Sequence, residues 1–157
     1  MKKEYNFIDE AAKEALEGVK NGHGGPFGAV IVKDNRIIAR AHNEVIKNND
    51  PTDHAEMIAI RRASKKLGRF DLSDCVLYTS CEPCPMCFSA IHWAKIEKVY
   101  YGCTRQDAAL IGFDDEYIYD VIKGKAEYKK VELEQKDREI CLKAFDEWKV
   151  KEDKVQY

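Results

Sequence analysis

The sequence predicts one three-layer α/β/α domain that has a central mixed sheet and a helical extension at its C-terminal end. Segments with the apolar spacing of amphipathic helices alternate along the chain with short apolar runs that are typical of buried strands. The 157 residues match the usual length of one domain and suffice to bury a core without disulfides. No linker, repeat or low-complexity segment divides them, so we expect a single domain over 1–157.

The first half of the chain is predicted to contain two helices and two strands. The helices cover 5–20 and 54–67, and the strands cover 29–32 and 36–43. A glycine-rich segment, 24–28, lies between the first helix and the first strand. It lacks the spacing of a phosphate-binding loop and precedes a strand, so we interpret it as a tight loop.

The second half is predicted to begin with a strand over 75–79 and a helix whose first turn contains Pro85. Two further strands are predicted over 98–102 and near 128–133. A charged helix free of glycine and proline is predicted to follow over about 135–153.

Composition and charge argue against several classes of protein. With 45% hydrophobic and 34% charged residues, the chain is typical of a soluble globular domain, and no apolar run approaches the roughly 20 residues of a membrane helix. The N-terminal segment lacks the uninterrupted apolar stretch of a signal peptide. A formal net charge of −2 lacks the basic excess of dedicated nucleic-acid binders. We therefore expect a cytoplasmic protein that has neither a membrane nor a nucleic acid as its partner.

The chemistry of the sequence is concentrated in two motifs, His54-Ala55-Glu56 and Pro83-Cys84-Pro85-Met86-Cys87. Imidazole and thiolate groups are natural zinc ligands, and a catalytic zinc ion with three protein ligands keeps a fourth position open for water. Cys84 and Cys87 lie three residues apart at a predicted helix start, where they face one side and the helix dipole favours the thiolate. The sequence therefore predicts a zinc ion held by His54, Cys84 and Cys87.

Glu56 distinguishes a catalytic zinc site from a structural one. In the first turn of a helix it can reach the open side of the ion, where a carboxylate can take a proton from water and deliver it to a leaving nitrogen. A redox pair or a structural zinc site would explain the two cysteines without needing this glutamate. Cys81, three residues before Cys84, is an alternative ligand.

The two motifs together are the signature of the zinc-dependent base deaminases. Over most of its length the sequence resembles the cytidine-deaminase-like superfamily and, within it, the bacterial guanine deaminases. The resemblance is carried by GGPFGAVIVKDN (24–35), NDPTDHAEMIAIR (49–61), LYTSCEPCPMC (77–87) and GFDDEYIY (112–119). The zinc motifs are common to the superfamily, whereas Phe27, the FDD sequence and the terminal Tyr157 point to guanine.

The resemblance implies the same zinc ligands and adds residues that bind the substrate. The ring of Phe27 would stack on the purine, and the amide of Asn43 would bond its polar edge. Asp115 is implied as a second carboxylate that handles the leaving amino group, with its neighbour Asp114 as a competitor. The implied reaction is hydrolysis of guanine to xanthine and ammonia, in which zinc-bound hydroxide attacks C2 and Glu56 moves the protons. Zinc is the only cofactor implied.

Other substrates and another class of protein stay open on the sequence alone. A tRNA adenosine deaminase shares the zinc motifs but should carry a basic surface for phosphate contacts, which the net charge of −2 disfavours. Another small nucleobase, such as cytosine, is a further alternative substrate. A zinc-stabilised binding module without turnover is the non-enzyme alternative, and it gives no reason for Glu56.

The C-terminal segment, about 134–157, carries an apolar stripe that must cover a surface. The stripe consists of Cys141, Ala144, Phe145 and Trp148. The resemblance implies a homodimer whose subunits exchange this segment, so that Tyr157 closes the active site of the neighbouring subunit. The alternative is a helix that folds back on its own domain.

Several histidines and cysteines have no catalytic role that the sequence assigns. His23 and His42 flank the predicted pocket, and we interpret His23 as an exposed loop residue. Cys75, Cys103 and Cys141 are expected to be small buried apolar residues.

Overall fold

The computed structural model describes residues 6–127 and 130–157. Its centre is a four-stranded sheet made of β1 (Gly28–Lys33), β2 (Arg36–His42), β3 (Val76–Cys81) and β4 (Lys98–Cys103). In the strand order β2-β1-β3-β4, β1 runs antiparallel to both of its neighbours, and β3 and β4 are parallel. The predicted mixed sheet is therefore confirmed.

The described residues form seven helices. They are α1 (Phe7–Lys20), α2 (Val45–Asn48), α3 (Ala55–Leu67), α4 (Pro85–Trp93), α5 (Arg105–Leu110), α6 (Glu116–Ile122) and α7 (Arg138–Val150). Local sequence fixes several of their ends. The Asn6 side chain accepts a hydrogen bond from the backbone of Ile8 and caps α1, and Gly68 ends α3 at φ 67°.

The helices pack on both faces of the sheet and produce the three predicted layers. Phe7 of α1 packs with Val30 and Val32 on one face. The other face is covered by α3 and α4, in a core that includes Ala29, Ile31, Ile58, Ala59, Leu77 and Ile91. Alternate residues of β1 therefore point to opposite cores, which explains why this strand is a continuous apolar run.

The edge strand β4 leaves part of the sheet uncovered. Most of its residues are exposed. Tyr100 of β4 stacks on Tyr78 of β3 with 5.0 Å between the ring centroids, and Tyr100 is 45% exposed. The sheet thus presents an aromatic surface beyond the edge of α1.

The C-terminal end differs from the prediction. Residues 128–129 of the predicted strand lie outside the described residues, and 130–133 form no strand. Helix α7 is shorter than the predicted 135–153, and none of its residues is buried. Its apolar stripe therefore covers no surface among the described residues. The expectation of burial was also wrong for Cys103 and Cys141, which are exposed, and right for Cys75.

The short helices α2, α5 and α6 were not predicted. They contain four, six and seven residues, too few to show a helical repeat of apolar residues. No helix in the described part of the chain has both the length and the apolar character needed to cross a membrane.

Candidate active site

Three side chains that can ligate a metal converge where two helices begin. His54 is the N-cap of α3, Cys84 is the N-cap of α4, and Cys87 lies in the first turn of α4. The Nδ1 atom of His54 lies 3.4 Å from Cys84 Sγ and 3.6 Å from Cys87 Sγ. The three ligand atoms all lie within 4.8 Å of one another. The structure thus brings together the residues that the sequence predicted as zinc ligands.

The donor set and its spacing fit a zinc ion. Neighbouring ligand atoms of a tetrahedral zinc site with nitrogen and sulfur donors are about 3.5 Å apart. A hydrogen bond from Cys87, with a second from His54, lowers the pKa of the Cys84 thiol to about 4 against the effect of burial. Cys84 therefore offers the thiolate, which is the form that binds metal.

Glu56 lies beside the three ligands, in the first turn of α3. It is 5% exposed, and burial raises the pKa of its carboxyl group. The hydroxyl of Thr79 in β3 donates a hydrogen bond of 2.8 Å to Glu56 Oε1, and Cys87 Sγ lies 3.4 Å from Oε2. A carboxyl group with a raised pKa at the edge of a cavity suits the uptake and release of protons.

A cavity of about 760 Å³ lies over these residues, and His54, Cys84 and Glu56 line it. This volume falls in the usual range of small-molecule sites, roughly 300–1,000 Å³. Phe27 and Phe113 form an apolar wall, with their rings edge to face and their centroids 5.0 Å apart. A larger groove of about 920 Å³ beside α4 and β4 contains none of the three metal ligands.

Asn43 forms a polar part of the cavity wall directly after β2. Its Oδ1 atom accepts a hydrogen bond of 3.1 Å from the backbone of Val45, so its Nδ2 group is the donor that can face a ligand. A Cβ atom at Gly24 would lie 2.1 Å from Asn43 Oδ1. Glycine is needed at this position because backbone and side chain approach each other closely. The side chain of Asn43 therefore packs directly against the backbone of the tight glycine loop.

Asp114 and Asp115 also line the cavity, in different environments. Asp115 is half-buried, and burial raises the pKa of its carboxyl group against the attraction of Arg105. Asp114 is exposed, and its Oδ1 atom accepts a hydrogen bond of 3.0 Å from the backbone of Glu116. Because Asp114 is engaged at the start of α6, Asp115 is the better placed of the two for proton transfer.

The sequence prediction missed three residues that support the site, namely Thr79, Arg105 and Tyr119. The Arg105 guanidinium lies 4.1 Å from the centroid of the Tyr119 ring. The Tyr119 hydroxyl donates a hydrogen bond of 2.7 Å to the carbonyl of Pro83, which ties α6 to the segment before α4. Only Thr79 could have been found from the sequence, because it is a polar residue in a predicted buried strand just before the cysteine motif.

Two other candidate residues lie apart from the converging ligands. Cys81 is buried, its Sγ atom lies 3.6 Å from the carbonyl oxygen of Thr104, and it is outside the group of three ligands. Tyr157 does not line the cavity of its own chain. Its ring centroid lies 6.2 Å from that of Phe70 and 6.1 Å from that of Trp93.

Comparison with known proteins agrees with this geometry. The family model for the cytidine and deoxycytidylate deaminase zinc-binding region matches residues 1–103, which include both zinc motifs. A guanine deaminase of Bacillus subtilis is 50% identical over 151 residues, which cover 96% of this chain and 97% of that protein. The chain belongs to the cytidine and deoxycytidylate deaminase family, in its guanine deaminase branch.

A solved structure and a second relative compare this zinc deaminase with a guanine deaminase and with a tRNA-specific enzyme. The X-ray structure of Bacillus subtilis guanine deaminase has a TM-score of 0.91 and covers 96% of each chain at 50% identity. The tRNA-specific adenosine deaminase of Aquifex aeolicus is 46% identical over 102 residues, which cover 65% of this chain and 66% of that protein. The predicted deaminase fold is confirmed, and similarity to the guanine deaminase extends over more of the chain.

Proposed function

We propose that this protein hydrolyses guanine to xanthine and ammonia. The observation that carries the proposal is the buried Glu56 carboxyl group, hydrogen-bonded by Thr79 beside three converging side chains that can ligate zinc. Burying a carboxyl group is costly, and neither a structural zinc site nor a binding module has a use for it. The identity of 50% with a guanine deaminase over nearly the whole chain supports guanine as the base.

His54, Cys84 and Cys87 would hold the zinc ion. When bound, zinc supplies the Lewis acidity that makes water a nucleophile near neutral pH. Glu56 takes a proton from the attacking water and delivers it to the ring nitrogen next to C2 of guanine. The water oxygen forms a bond to C2, and the bond from C2 to the exocyclic nitrogen breaks once that nitrogen is protonated. Guanine and water together thus account for every atom of xanthine and ammonia.

Phe27 and Asn43 would bind the purine in the cavity. The Phe27 ring provides an apolar face for stacking, supported edge to face by Phe113. Guanine presents the acceptors O6 and N7, and the Asn43 Nδ2 group is a donor that can pair with an acceptor. Guanine therefore fits both the apolar and the polar parts of the wall.

Asp115 would handle the leaving amino group. Its half-buried carboxyl group has a raised pKa, and Arg105 holds a positive charge nearby. A carboxyl group in this state can carry a proton to the departing nitrogen or accept one from it.

Ammonia release across a panel of substrates tests this assignment. The panel contains guanine, cytosine, cytidine and a tRNA anticodon stem-loop, and we expect the highest kcat/KM for guanine. The second candidate is tRNA adenosine deamination, which the identity with the Aquifex aeolicus enzyme favours and the net charge of −2 disfavours. An equal or greater efficiency on the stem-loop would replace our proposal with this candidate.

We further propose that the single domain, 1–157, forms a homodimer that exchanges the segment 134–157. Large apolar side chains of α7 are exposed, and such surface is typical of an interface. They are Ile140, Phe145, Trp148 and Val150, which are 65%, 66%, 39% and 74% exposed. The stacked rings of Tyr78 and Tyr100 form an aromatic surface on which we propose that the helix of another copy packs.

Tyr157 would close the active site of the partner in this dimer, because its ring lies away from the cavity of its own chain. We also place the protein in the cytoplasm. Its six cysteines are all free thiols, which supports a reducing compartment.

A further inference from the structure

A second cluster of metal-binding side chains lies outside the cavity. His23 just before the glycine loop, His42 at the end of β2 and Glu44 two residues after it each offer one ligand atom, all within 4.8 Å of one another. His42 Nε2 lies 2.8 Å from His23 Nδ1 and 3.7 Å from Glu44 Oε1. The interpretation of His23 as an exposed loop residue was wrong, because its ring is half-buried and stacks on His42. The deamination mechanism uses none of these three residues.

Glu14 orients the imidazole ring of His42. Glu14 Oε2 on α1 lies 3.1 Å from His42 Nδ1. Because a carboxylate only accepts hydrogen bonds, Nδ1 carries the proton and Nε2 presents its lone pair to His23 and Glu44. Metal-binding histidines in proteins typically donate their other ring N–H to a carboxylate in this way. Gly18 helps to fix the ring, since a Cβ atom there would lie 2.9 Å from His42 Cδ2.

Glu44 supplies negative charge to the cluster. Burial opposes its ionisation, but hydrogen bonds from Lys47 and Asn48 outweigh burial and lower the pKa of its carboxyl group. Lys47 Nζ lies 3.1 Å from Glu44 Oε1, and Arg62 Nη2 lies 3.6 Å from the same atom. The side chains of these two cations are 45% and 49% exposed, so both can turn into water when another cation binds Glu44.

We propose that His23, His42 and Glu44 bind a divalent first-row transition metal ion. Two imidazole nitrogens and a carboxylate oxygen are ligands that such ions accept, zinc among them. Neighbouring ligand atoms around such an ion are about 3–3.5 Å apart. His42 Nε2 lies slightly closer than this to His23 Nδ1, at 2.8 Å, and slightly farther from Glu44 Oε1, at 3.7 Å. Binding replaces the hydrogen bond between the two histidines, and the proton on His23 Nδ1 passes through solvent to His23 Nε2, so that the ring binds the ion as a neutral imidazole.

The ion would hold together the segments on which Asn43 depends. Asn43 lies between His42 and Glu44 in the chain, and His23 directly precedes Gly24, against which Asn43 packs. This consequence rests on the proposed substrate-binding role of Asn43. The metal site itself does not, because its ligands lie outside the cavity lining.

The two metal sites differ in their donors, and this difference allows a test without substrate. Protein that metal analysis shows to hold one equivalent of zinc after dialysis against metal-free buffer is titrated with Co²⁺, and metal content is measured after a second dialysis. Cobalt bound by Cys84 and Cys87 shows thiolate charge-transfer absorption, whereas cobalt bound only by nitrogen and oxygen shows d–d bands alone. We compare wild type with His23→Gln, Glu44→Gln and, as a matched control, His92→Gln at an exposed histidine on α4.

We expect wild type and His92→Gln to bind one equivalent of Co²⁺ with d–d bands and no thiolate band, while zinc stays bound. His23→Gln and Glu44→Gln should lose this equivalent and keep their zinc, which also shows that they are folded. No uptake by wild type, equal uptake by His23→Gln, or a thiolate band on uptake would each overturn the proposal. Because no guanine is used, these outcomes are independent of the proposed deaminase activity.

Discussion

The hydrogen bond from Thr79 to Glu56 gives a quantitative test of the catalytic proposal. Thr79→Val keeps the shape of the side chain but removes the donor of a 2.8 Å bond between residues that are 0% and 5% exposed. Water cannot replace the lost donor easily at this depth. A hydrogen bond to a charged group contributes about 1.5–3 kcal/mol, which corresponds to roughly 10- to 150-fold in rate. We expect kcat for guanine to fall by that factor with little change in KM, because Thr79 does not line the cavity.

The assay is ammonia release at saturating guanine, with Thr79→Ser as the matched control because it retains the hydroxyl. Zinc content should be the same in wild type and both variants. The Thr79 bond lowers the pKa of the Glu56 carboxyl group, so its loss should move the acid limb of the kcat profile to higher pH. Equal kcat values for Thr79→Val and Thr79→Ser would refute the argument that this bond holds Glu56 for proton transfer.

Four further outcomes are expected. Cys84→Ala should lose most of its zinc in metal analysis, because a thiolate ligand is removed, and a variant that keeps its zinc would place the site elsewhere. Glu56→Gln should lose turnover by roughly 10²–10⁴-fold while zinc stays bound, since the amide keeps the shape but cannot shuttle protons. Asp115→Asn should lower ammonia release more than Asp114→Asn, and the opposite order would transfer the second carboxylate role to Asp114. Deletion of 155–157 should lower guanine turnover with zinc content intact, and the full-length chain should sediment as a dimer. A fully active truncated chain, or a monomer at working concentration, would contradict the exchanged segment.

The convergence of the three candidate metal ligands could be predicted because their arrangement depends on local sequence. His54 and Cys84 are the N-caps of two helices, and Pro85 marks the start of the second. The spacing of three residues then places Cys84 and Cys87 on one side of a single turn. Helix starts and the spacing within one turn depend on only a few consecutive residues, so both can be recognised directly in the sequence.

The supporting contacts could not be predicted because strand register and helix packing determine them. Thr79 reaches Glu56 across 23 positions of the chain, and His42 meets His23 across 19. A shift of one residue in β3 would turn Thr79 to the opposite face of the sheet. The same limit applies to α7, since its spacing predicts a helix but does not show which surface covers the apolar stripe.

The residues proposed for the chemical step and those proposed to bind the base lie in different kinds of structural element. The candidate metal ligands and Glu56 lie at the starts of α3 and α4, whereas Phe27, Asn43 and Phe113 lie in connecting segments. Connecting segments tolerate change better than the helices and strands that they join. A duplicated copy of this gene could therefore evolve toward a different base by altering its loops while it inherited a working hydrolytic centre. The tRNA-specific relative, which is 46% identical to this chain over 102 residues, is an outcome that such divergence predicts.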